Sequence, residues 1–171
     1  TAGADRIMSV DLHAAQSQGF FDGPVDHLIA MPVLVDYIRD RFSNQLDNVA
    51  VVSPDAGRIR VAEQWAQRLG GGPLAFVHKT RDITRPNQAV ANRVVGDVAG
   101  KDCVLVDDLI DTAGTIAGAC NVLKDAGAKS VTVVATHGVL SGPAVDRLKN
   151  CGAREVVLTD TVPIPEEKRW D

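Results

Sequence analysis

Short apolar segments alternate with stretches of helical periodicity along most of the chain. The apolar segments predict strands at Arg6–Leu12, Val49–Ser53, Leu74–His78, Cys103–Val106, Val131–Thr136 and Glu155–Thr159. Between them, apolar residues recur three and four positions apart, which predicts amphipathic helices. These stripes are Leu34, Ile38 and Phe42; Ala62, Trp65, Ala66 and Leu69; and Ile116, Ala119, Cys120 and Leu123, with a shorter helix at Pro143–Lys149. Strands that alternate with helices predict an α/β fold with a mainly parallel sheet flanked by helices.

This fold directs attention to the residues that follow the apolar segments. Ligands of open α/β sheets bind beyond the carboxyl ends of the strands. One stretch, Thr80–Gly100, is polar and shows neither strand nor helix periodicity. Such a stretch predicts a surface loop or hairpin, and long loops of this kind often act as lids over a site.

Composition narrows the class of protein without selecting a function. The chain has 171 residues, 45% hydrophobic and 23% charged, which is typical of one globular domain. The net charge of −4 argues against a general nucleic-acid binder but allows a local basic site. Cys103, Cys120 and Cys151 lack the paired short spacings of a disulfide framework or zinc site. The cysteines therefore favour a reducing, cytoplasmic location, and no segment is long enough for a membrane span.

The clearest chemistry lies in Val104–Thr115, which reads VLVDDLIDTAGT. An apolar strand ends in two acids, Asp107 and Asp108, and a turn of small residues then opens a helix. Backbone N–H groups at a helix start, aided by hydroxyls, can bind phosphate oxygens, and carboxylates suit sugar hydroxyls. The segment therefore predicts a sugar-phosphate site of the kind that ribose 5-phosphate would fill. The phosphate would lie on Asp111, Thr112, Ala113, Gly114 and Thr115.

Simpler readings exist for each candidate residue. Asp111 or Thr112 could merely cap the helix, although a cap does not account for two acids at the end of a buried strand. A lone histidine such as His13 is as often structural as functional. Asp55 would suit an ordinary turn, and Lys79 would suit a solvated surface. Residue type alone leaves these three open.

The turn resembles the phosphoribosyl pyrophosphate loop of two families, the type I phosphoribosyltransferases and the ribose-phosphate pyrophosphokinases. The segment Asp11–Asp22, DLHAAQSQGFFD, is similar to a signature of the pyrophosphokinases that phosphoribosyltransferases lack. Further similarities to the pyrophosphokinases lie at Val51–Gly57, His78–Arg81, Asn92–Gly100 and Thr136–Gly138. The resemblance covers nearly the whole chain in order, and it implies a type I phosphoribosyltransferase-like fold.

The resemblance also implies an activity and the residues that serve it. Pyrophosphate would pass from ATP to the anomeric hydroxyl of ribose 5-phosphate, giving phosphoribosyl pyrophosphate and AMP. The implied Mg²⁺ ligands are His13 and Asp55. Lys79 would stabilise the transferred group, and Arg81, also catalytic, would contact ribose 5-phosphate. Asp107 and Asp108 would hold the ribose and its metal.

The resemblance further implies the domain division of the chain and the ligands and partners that it binds. Residues 1–28 would end an N-terminal half whose earlier part is missing. Residues 29–171 would form a C-terminal phosphoribosyltransferase-like domain with a flexible catalytic loop at 79–93. Subunits of the family form dimers within hexamers, so we expect a homo-oligomer that binds ATP and ribose 5-phosphate, but neither nucleic acid nor membrane. The family's adenine contacts lie largely upstream, which leaves the activity of this chain alone open.

Two other functions remain open at this point. A phosphoribosyltransferase would consume the pyrophosphate donor, release pyrophosphate only with a base present and form no AMP. A non-catalytic relative would bind the sugar phosphate or a synthetase subunit, and the presence of Lys79 and His13 disfavours it. Formation of AMP distinguishes the pyrophosphokinase from both.

Overall fold

A computed structural model describes residues 3–43, 45–80 and 91–170. Its elements are β1 (Ile7–Val10), β2 (Val25–Leu28), α1 (Met31–Arg41), β3 (Val49–Ser53), α2 (Ile59–Arg68), β4 (Leu74–Thr80), β5 (Ala91–Val95), β6 (Asp102–Ile110), α3 (Gly114–Asp125), β7 (Ser130–Gly138), α4 (Ala144–Asn150) and β8 (Glu155–Leu158). Six strands form one sheet in the order β5-β4-β3-β6-β7-β8, parallel throughout except for the β4–β5 pair. The predicted α/β fold with a mainly parallel sheet is confirmed.

The sheet is the middle of three layers. Strand β6 is buried on both faces: Cys103 and Leu105 pack with α3 and α4, whereas Val104 and Val106 pack with α1 and α2. This is why its sequence is continuously apolar rather than alternating. The predicted helix stripes lie in these two cores, one on each side of the sheet.

The strand order places a switch point between β3 and β6. From β3 the chain proceeds through α2 to β4, and from β6 it proceeds through α3 to β7 in the opposite direction across the sheet. The loops after β3 and β6 therefore diverge and leave a crevice at the carboxyl ends of these two strands, where ligands of such folds bind.

The structure corrects the sequence interpretation in three places. Strand β6 continues to Ile110, so Asp107 and Asp108 lie within the strand rather than after it. Strand β2 was not predicted, because four residues with two polar side chains give little periodicity. Within the predicted loop at 79–93, Lys79 belongs to β4 and residues 91–93 belong to β5, which pairs antiparallel with β4.

Strands β1 and β2 form a separate parallel pair that is fastened to the main sheet. Thr136 on β7 donates a hydrogen bond of 2.6 Å to the Asp11 carboxylate, which also accepts from the Ala30 N–H at 3.1 Å. His137 Nε2 lies 3.0 Å from the Val10 carbonyl oxygen. These contacts fix the end of β1, and with it the segment that carries His13. None of the helices in the described part of the chain has the length and apolar character needed to cross a membrane.

Candidate functional site

The turn between β6 and α3 has an unusual backbone. Ala113 precedes the first residue of α3 with φ +58° and ψ +10°, the left-handed region that costs a residue with a Cβ roughly 1–2 kcal/mol. Its methyl group is buried in the core, which holds this conformation in place. A left-handed residue followed by a helical one aims successive N–H groups towards one point, the arrangement that binds anions.

Carbonyl groups around this turn accept hydrogen bonds from other parts of the protein. Ile110 O accepts from the Val139 N–H at 3.0 Å, and Asp111 O accepts from the Ser141 N–H at 3.0 Å. Thr112 O accepts from Arg147 Nη1 at 2.8 Å. The first N–H groups of a helix have no partner within the helix, and Gly114, the first residue of α3, is exposed. The carbonyl groups of this turn are thus engaged in hydrogen bonds that hold the turn in place.

Asp107 and Asp108 lie at the half-buried end of β6, with side chains 13% and 12% exposed. Asp107 Oδ1 accepts from the Asp108 N–H at 2.9 Å. Burial raises the pKa of Asp107 to about 7; the neighbouring Asp108 carboxylate adds to this increase, and the Asp108 N–H and Arg58 oppose it. Asp107 therefore lacks enough favourable contacts to compensate for its loss of water.

Arg58 connects these acids to the segment after β3, and the sequence interpretation did not select it. Its Nε lies 3.2 Å from Asp107 Oδ1, and its Nη2 lies 2.7 Å from Asp108 Oδ2, so it forms an ion pair with each acid. The same Nη2 lies 2.8 Å from His13 Nδ1. The available signal was a basic residue three positions after Asp55, in a turn that follows a strand at the switch point. That position is close to the candidate residues along the chain, but only the sheet order brings it to the acids.

His13 reaches the same cluster from the segment after β1. Its Nδ1 lies 2.9 Å from Asp108 Oδ2, and its side chain is 72% exposed. Nδ1 cannot accept from Arg58 and donate to Asp108 in one protonation state. The Arg58 contact matches a ring whose Nδ1 carries a lone pair, whereas the Asp108 contact matches a ring whose Nδ1 carries a proton; only the first form can bind a metal through Nδ1.

Asp55 plays a local role in the structure. Its Oδ1 accepts from the Gly57 N–H at 2.8 Å, and its carbonyl oxygen accepts from the Ser53 hydroxyl at 2.6 Å. Within residues 3–43, 45–80 and 91–170, no hydrogen bond or ion pair joins Asp55 to His13, and no three His, Cys, Asp or Glu side chains converge as a metal site. The structure brings His13 to the acids rather than to Asp55.

The predicted catalytic residues are only partly described. The backbone of Lys79 lies in β4, opposite Asn92 of β5. Arg81 lies outside the described residues, so its placement stays a prediction. Arg147, on α4, is a second residue that sequence patterns did not indicate, because nothing in an exposed helical arginine reveals that it meets the Thr112 carbonyl.

Comparison with known proteins agrees with this geometry. The family model described as phosphoribosyl synthetase-associated domain matches residues 79–169. The chain is 96% identical over all 171 residues to a ribose-phosphate pyrophosphokinase of Bifidobacterium longum (strain NCC 2705), of which it covers 50%. It thus spans about half the length of the curated relatives it matches.

Solved structures give the same picture of the fold. The phosphoribosylpyrophosphate synthetase of Mycobacterium smegmatis superposes with a TM-score of 0.90 at 60% identity, over 99% of this chain and 53% of that one. The orotate phosphoribosyltransferase of Aeropyrum pernix superposes with a TM-score of 0.55 at 26% identity, over 76% of this chain and 72% of that one. The predicted likeness to type I phosphoribosyltransferases is confirmed.

Proposed function

The chain belongs to the ribose-phosphate pyrophosphokinase family, and we propose that it carries the ribose 5-phosphate side of that family's active site. In the complete protein, the anomeric hydroxyl of ribose 5-phosphate attacks the β-phosphorus of ATP, phosphoribosyl pyrophosphate forms, and AMP leaves. Because this chain spans half the length of its relatives, the full reaction is proposed for the longer protein that contains it.

One observation supports this assignment most: the Asp107–Asp108 pair and the left-handed turn at Ala113 follow one another on the central strand, at the switch point of the sheet. In the proposed complex, the 5-phosphate lies on the N–H groups and hydroxyls of the turn, from Asp111 to Thr115. The ribose hydroxyls bond to the two carboxylates. The short, continuous stretch of chain from Asp108 to Asp111 fixes the spacing between these two groups.

Catalysis of phosphoryl-type transfer consists mainly of positioning and charge stabilisation. We assign the stabilisation of the transferred group to Lys79 and a contact with ribose 5-phosphate to Arg81. Lys79 lies on β4, next to β3 in the sheet, which supports its assignment to the same rim.

We also assign Mg²⁺ to this rim, with His13 and Asp55 as its protein ligands and the Asp107–Asp108 pair beside them. The carboxylates fit this assignment, since Mg²⁺ prefers carboxylate oxygens, takes few protein ligands and keeps waters and phosphate oxygens; His13 would add a nitrogen ligand. A bound Mg²⁺ would offset the negative charge of the phosphates during transfer. The local bond from the Gly57 N–H leaves the second carboxylate oxygen of Asp55 for such a role.

Ribose 5-phosphate binding tests the sugar-phosphate site directly. We expect Thr112→Val to weaken binding of ribose 5-phosphate to the chain by about tenfold, because a phosphate bond is lost. The same substitution should leave the weak binding of ribose unchanged. Asp108→Asn should weaken both ligands. Calorimetric titration of each variant with each sugar measures the effect, and equal losses for both sugars with Thr112→Val would contradict the assignment of the turn.

AMP formation tests the activity. In a protein of the relatives' full length that contains this sequence, Lys79→Ala should slow AMP formation from ATP and ribose 5-phosphate roughly 100-fold or more. Lys101→Ala is the control, because Lys101 precedes the opposite end of β6. A normal rate with Lys79→Ala would overturn the catalytic assignment. Pyrophosphate release that depends on an added base, without AMP, would indicate a phosphoribosyltransferase instead.

The remaining assignments concern the domain division, the loop, the oligomeric state and the cellular location of the protein. We propose the division at residues 28 and 29, a loop centred on residues 79–93, and assembly into homo-oligomers. Exposed apolar side chains support assembly, among them Met8 at 71%, Phe20 at 90% and Val33 at 70% exposure. Three buried, unpaired cysteines favour the cytoplasm. Sedimentation velocity of the chain measures its oligomeric state.

A further inference from the structure

The Arg58 guanidinium contacts three side chains that the proposed function assigns to sugar and metal. It forms ion pairs with Asp107 Oδ1 at 3.2 Å and with Asp108 Oδ2 at 2.7 Å, and it lies 2.8 Å from His13 Nδ1. The four groups come from three separate segments, those after β1 and β3 and the end of β6. A positive group that contacts three side chains of a proposed cation site lies where a cation bound to those side chains would need to be.

We propose that Arg58 is the resident counter-ion of the Asp107–Asp108 pair, and that a divalent cation binds this pair only after Arg58 has moved away. Arg58 is thus a positioning residue that keeps the acids ordered in the absence of ligand and competes with the cation for them. This inference rests on the proposed function, because it assumes that the Mg²⁺ placed beside this pair also binds to it.

The charges of the cluster explain why the exchange can occur. When both carboxylates are ionised they carry two negative charges, and one guanidinium, which stays protonated in proteins, offsets only one of them. A divalent cation offsets both. The pair is about seven-eighths buried, with Asp107 and Asp108 only 13% and 12% exposed, so the remaining charge is weakly screened by water.

The geometry explains why the contact is specific to arginine. Two different nitrogens, Nε and Nη2, reach the two carboxylates at the same time. The planar fork of a guanidinium spans two acceptors in this way, whereas a lysine ammonium acts as a single point charge on a flexible stem. A lysine at this position would keep the charge but hold the two acids less firmly.

Mn²⁺ binding to the 171-residue chain, followed by the loss of the free-ion electron paramagnetic resonance signal, tests the competition. We expect Arg58→Met, which keeps the apolar stem, to bind Mn²⁺ about tenfold more tightly than the wild type, because a competing charge at contact distance is gone. Arg58→Lys should fall between the two. Arg60→Met is the matched control: it removes the same charge from an exposed position two residues away, and its affinity should stay within twofold of the wild type.

Several outcomes would overturn the proposal. It is wrong if Arg58→Met binds Mn²⁺ no more tightly than Arg60→Met, or if both tighten equally, which would indicate a general charge effect. It is also wrong if neither the wild type nor Arg58→Met binds Mn²⁺ at millimolar concentrations. Circular dichroism establishes that each variant is folded, and if Arg58→Met is not, the order of Arg58→Lys relative to the wild type decides. Ribose 5-phosphate titration of the metal-free wild-type chain, with Thr112→Val for comparison, shows separately whether the proposed function fails.

Discussion

Asp102 and Asp107 lie towards opposite ends of β6, and the pKa values of their carboxyl groups are shifted in opposite directions. Asp102, at the amino end, is 1% exposed and accepts from Lys129 Nζ at 2.9 Å, from the Ser130 hydroxyl at 2.6 Å and from Asn48 Nδ2 at 3.3 Å. Burial alone would raise the pKa of Asp102, but these hydrogen bonds hold it below its usual value. Asp107, at the carboxyl end, has a pKa raised to about 7 by burial.

This contrast distinguishes a structural acid from an acid that we propose binds a ligand, on the same strand. The partners of Asp102 supply the donors that its charged form needs, so the fold is stabilised by its ionisation. Asp107 contacts the Asp108 N–H and a guanidinium that it shares with Asp108. A further positive or hydrogen-bond-donating group would therefore stabilise its ionised form. An under-satisfied carboxylate at a switch point is what a sugar or cation site requires before its ligand arrives.

Removal of the structural acid should give the largest effect. We expect Asp102→Ala to lower the free energy of unfolding by about 3 kcal/mol, because Ser130 and Asn48 lose a buried acceptor and Lys129 loses its partner. The affinity of the folded protein for ribose 5-phosphate should not change. Urea denaturation and titration with ribose 5-phosphate measure the two quantities. Weaker binding without a loss of stability would contradict the structural role of Asp102.

Removal of a ligand-binding acid should do the opposite. Asp108→Asn should weaken ribose 5-phosphate binding by roughly 30-fold, or about 2 kcal/mol, because a charge-assisted hydrogen bond becomes a neutral one. Its free energy of unfolding should change by less than about 1 kcal/mol, since a charge of an incompletely paired cluster is removed. If Asp108→Asn unfolded as easily as Asp102→Ala, the distinction between the two ends would be lost.

The pH dependence of stability should have opposite signs at the two ends. The raised pKa of Asp107 contributes stability that is fully present below pH 4 and is lost as the pH rises through about 7. Asp107→Asn should therefore gain about 1 kcal/mol relative to the wild type between pH 5 and pH 8.

At Asp102 the lowered pKa contributes stability that is present above the unfolded value near 4 and is lost as the pH falls further. The disadvantage of Asp102→Asn should then shrink only below pH 4. Urea denaturation of both variants across this pH range measures these differences, and slopes of the same sign would contradict the assignment.

The smallest effect should come from removing the Arg147 side chain, which donates to the turn. Arg147→Met removes the donor to the Thr112 carbonyl, and we expect ribose 5-phosphate affinity to fall about threefold, since one exposed hydrogen bond positions the turn. Lys149→Met is the control on the same helix, because Lys149 lies over the Trp170 ring, 5.7 Å from its centroid. Equal losses in calorimetric titrations of the two variants would show that charge near α4, rather than the turn contact, matters.

Local sequence patterns predicted the parts of the site that lie within one segment. The acids and the turn are continuous from Asp107 to Thr115, and their order along the chain is their order in space. Asp55 was predicted to be a metal ligand, with an ordinary turn as the simpler alternative, and its bond with the Gly57 N–H matches the turn. Its predicted pairing with His13 as metal ligands stays a proposal, because no contact joins them in the described residues.

The sequence by itself determined the α/β class, the burial of β6 and the turn that opens α3, because periodicity and local backbone chemistry act over a few neighbouring residues. Only the tertiary structure decided that Arg58 and His13 would meet the acids of β6, and that Arg147 would support the turn. Those contacts depend on strand order: β3 and β6 are neighbours in the sheet although about fifty residues separate them along the chain, and no local pattern encodes which strands become neighbours.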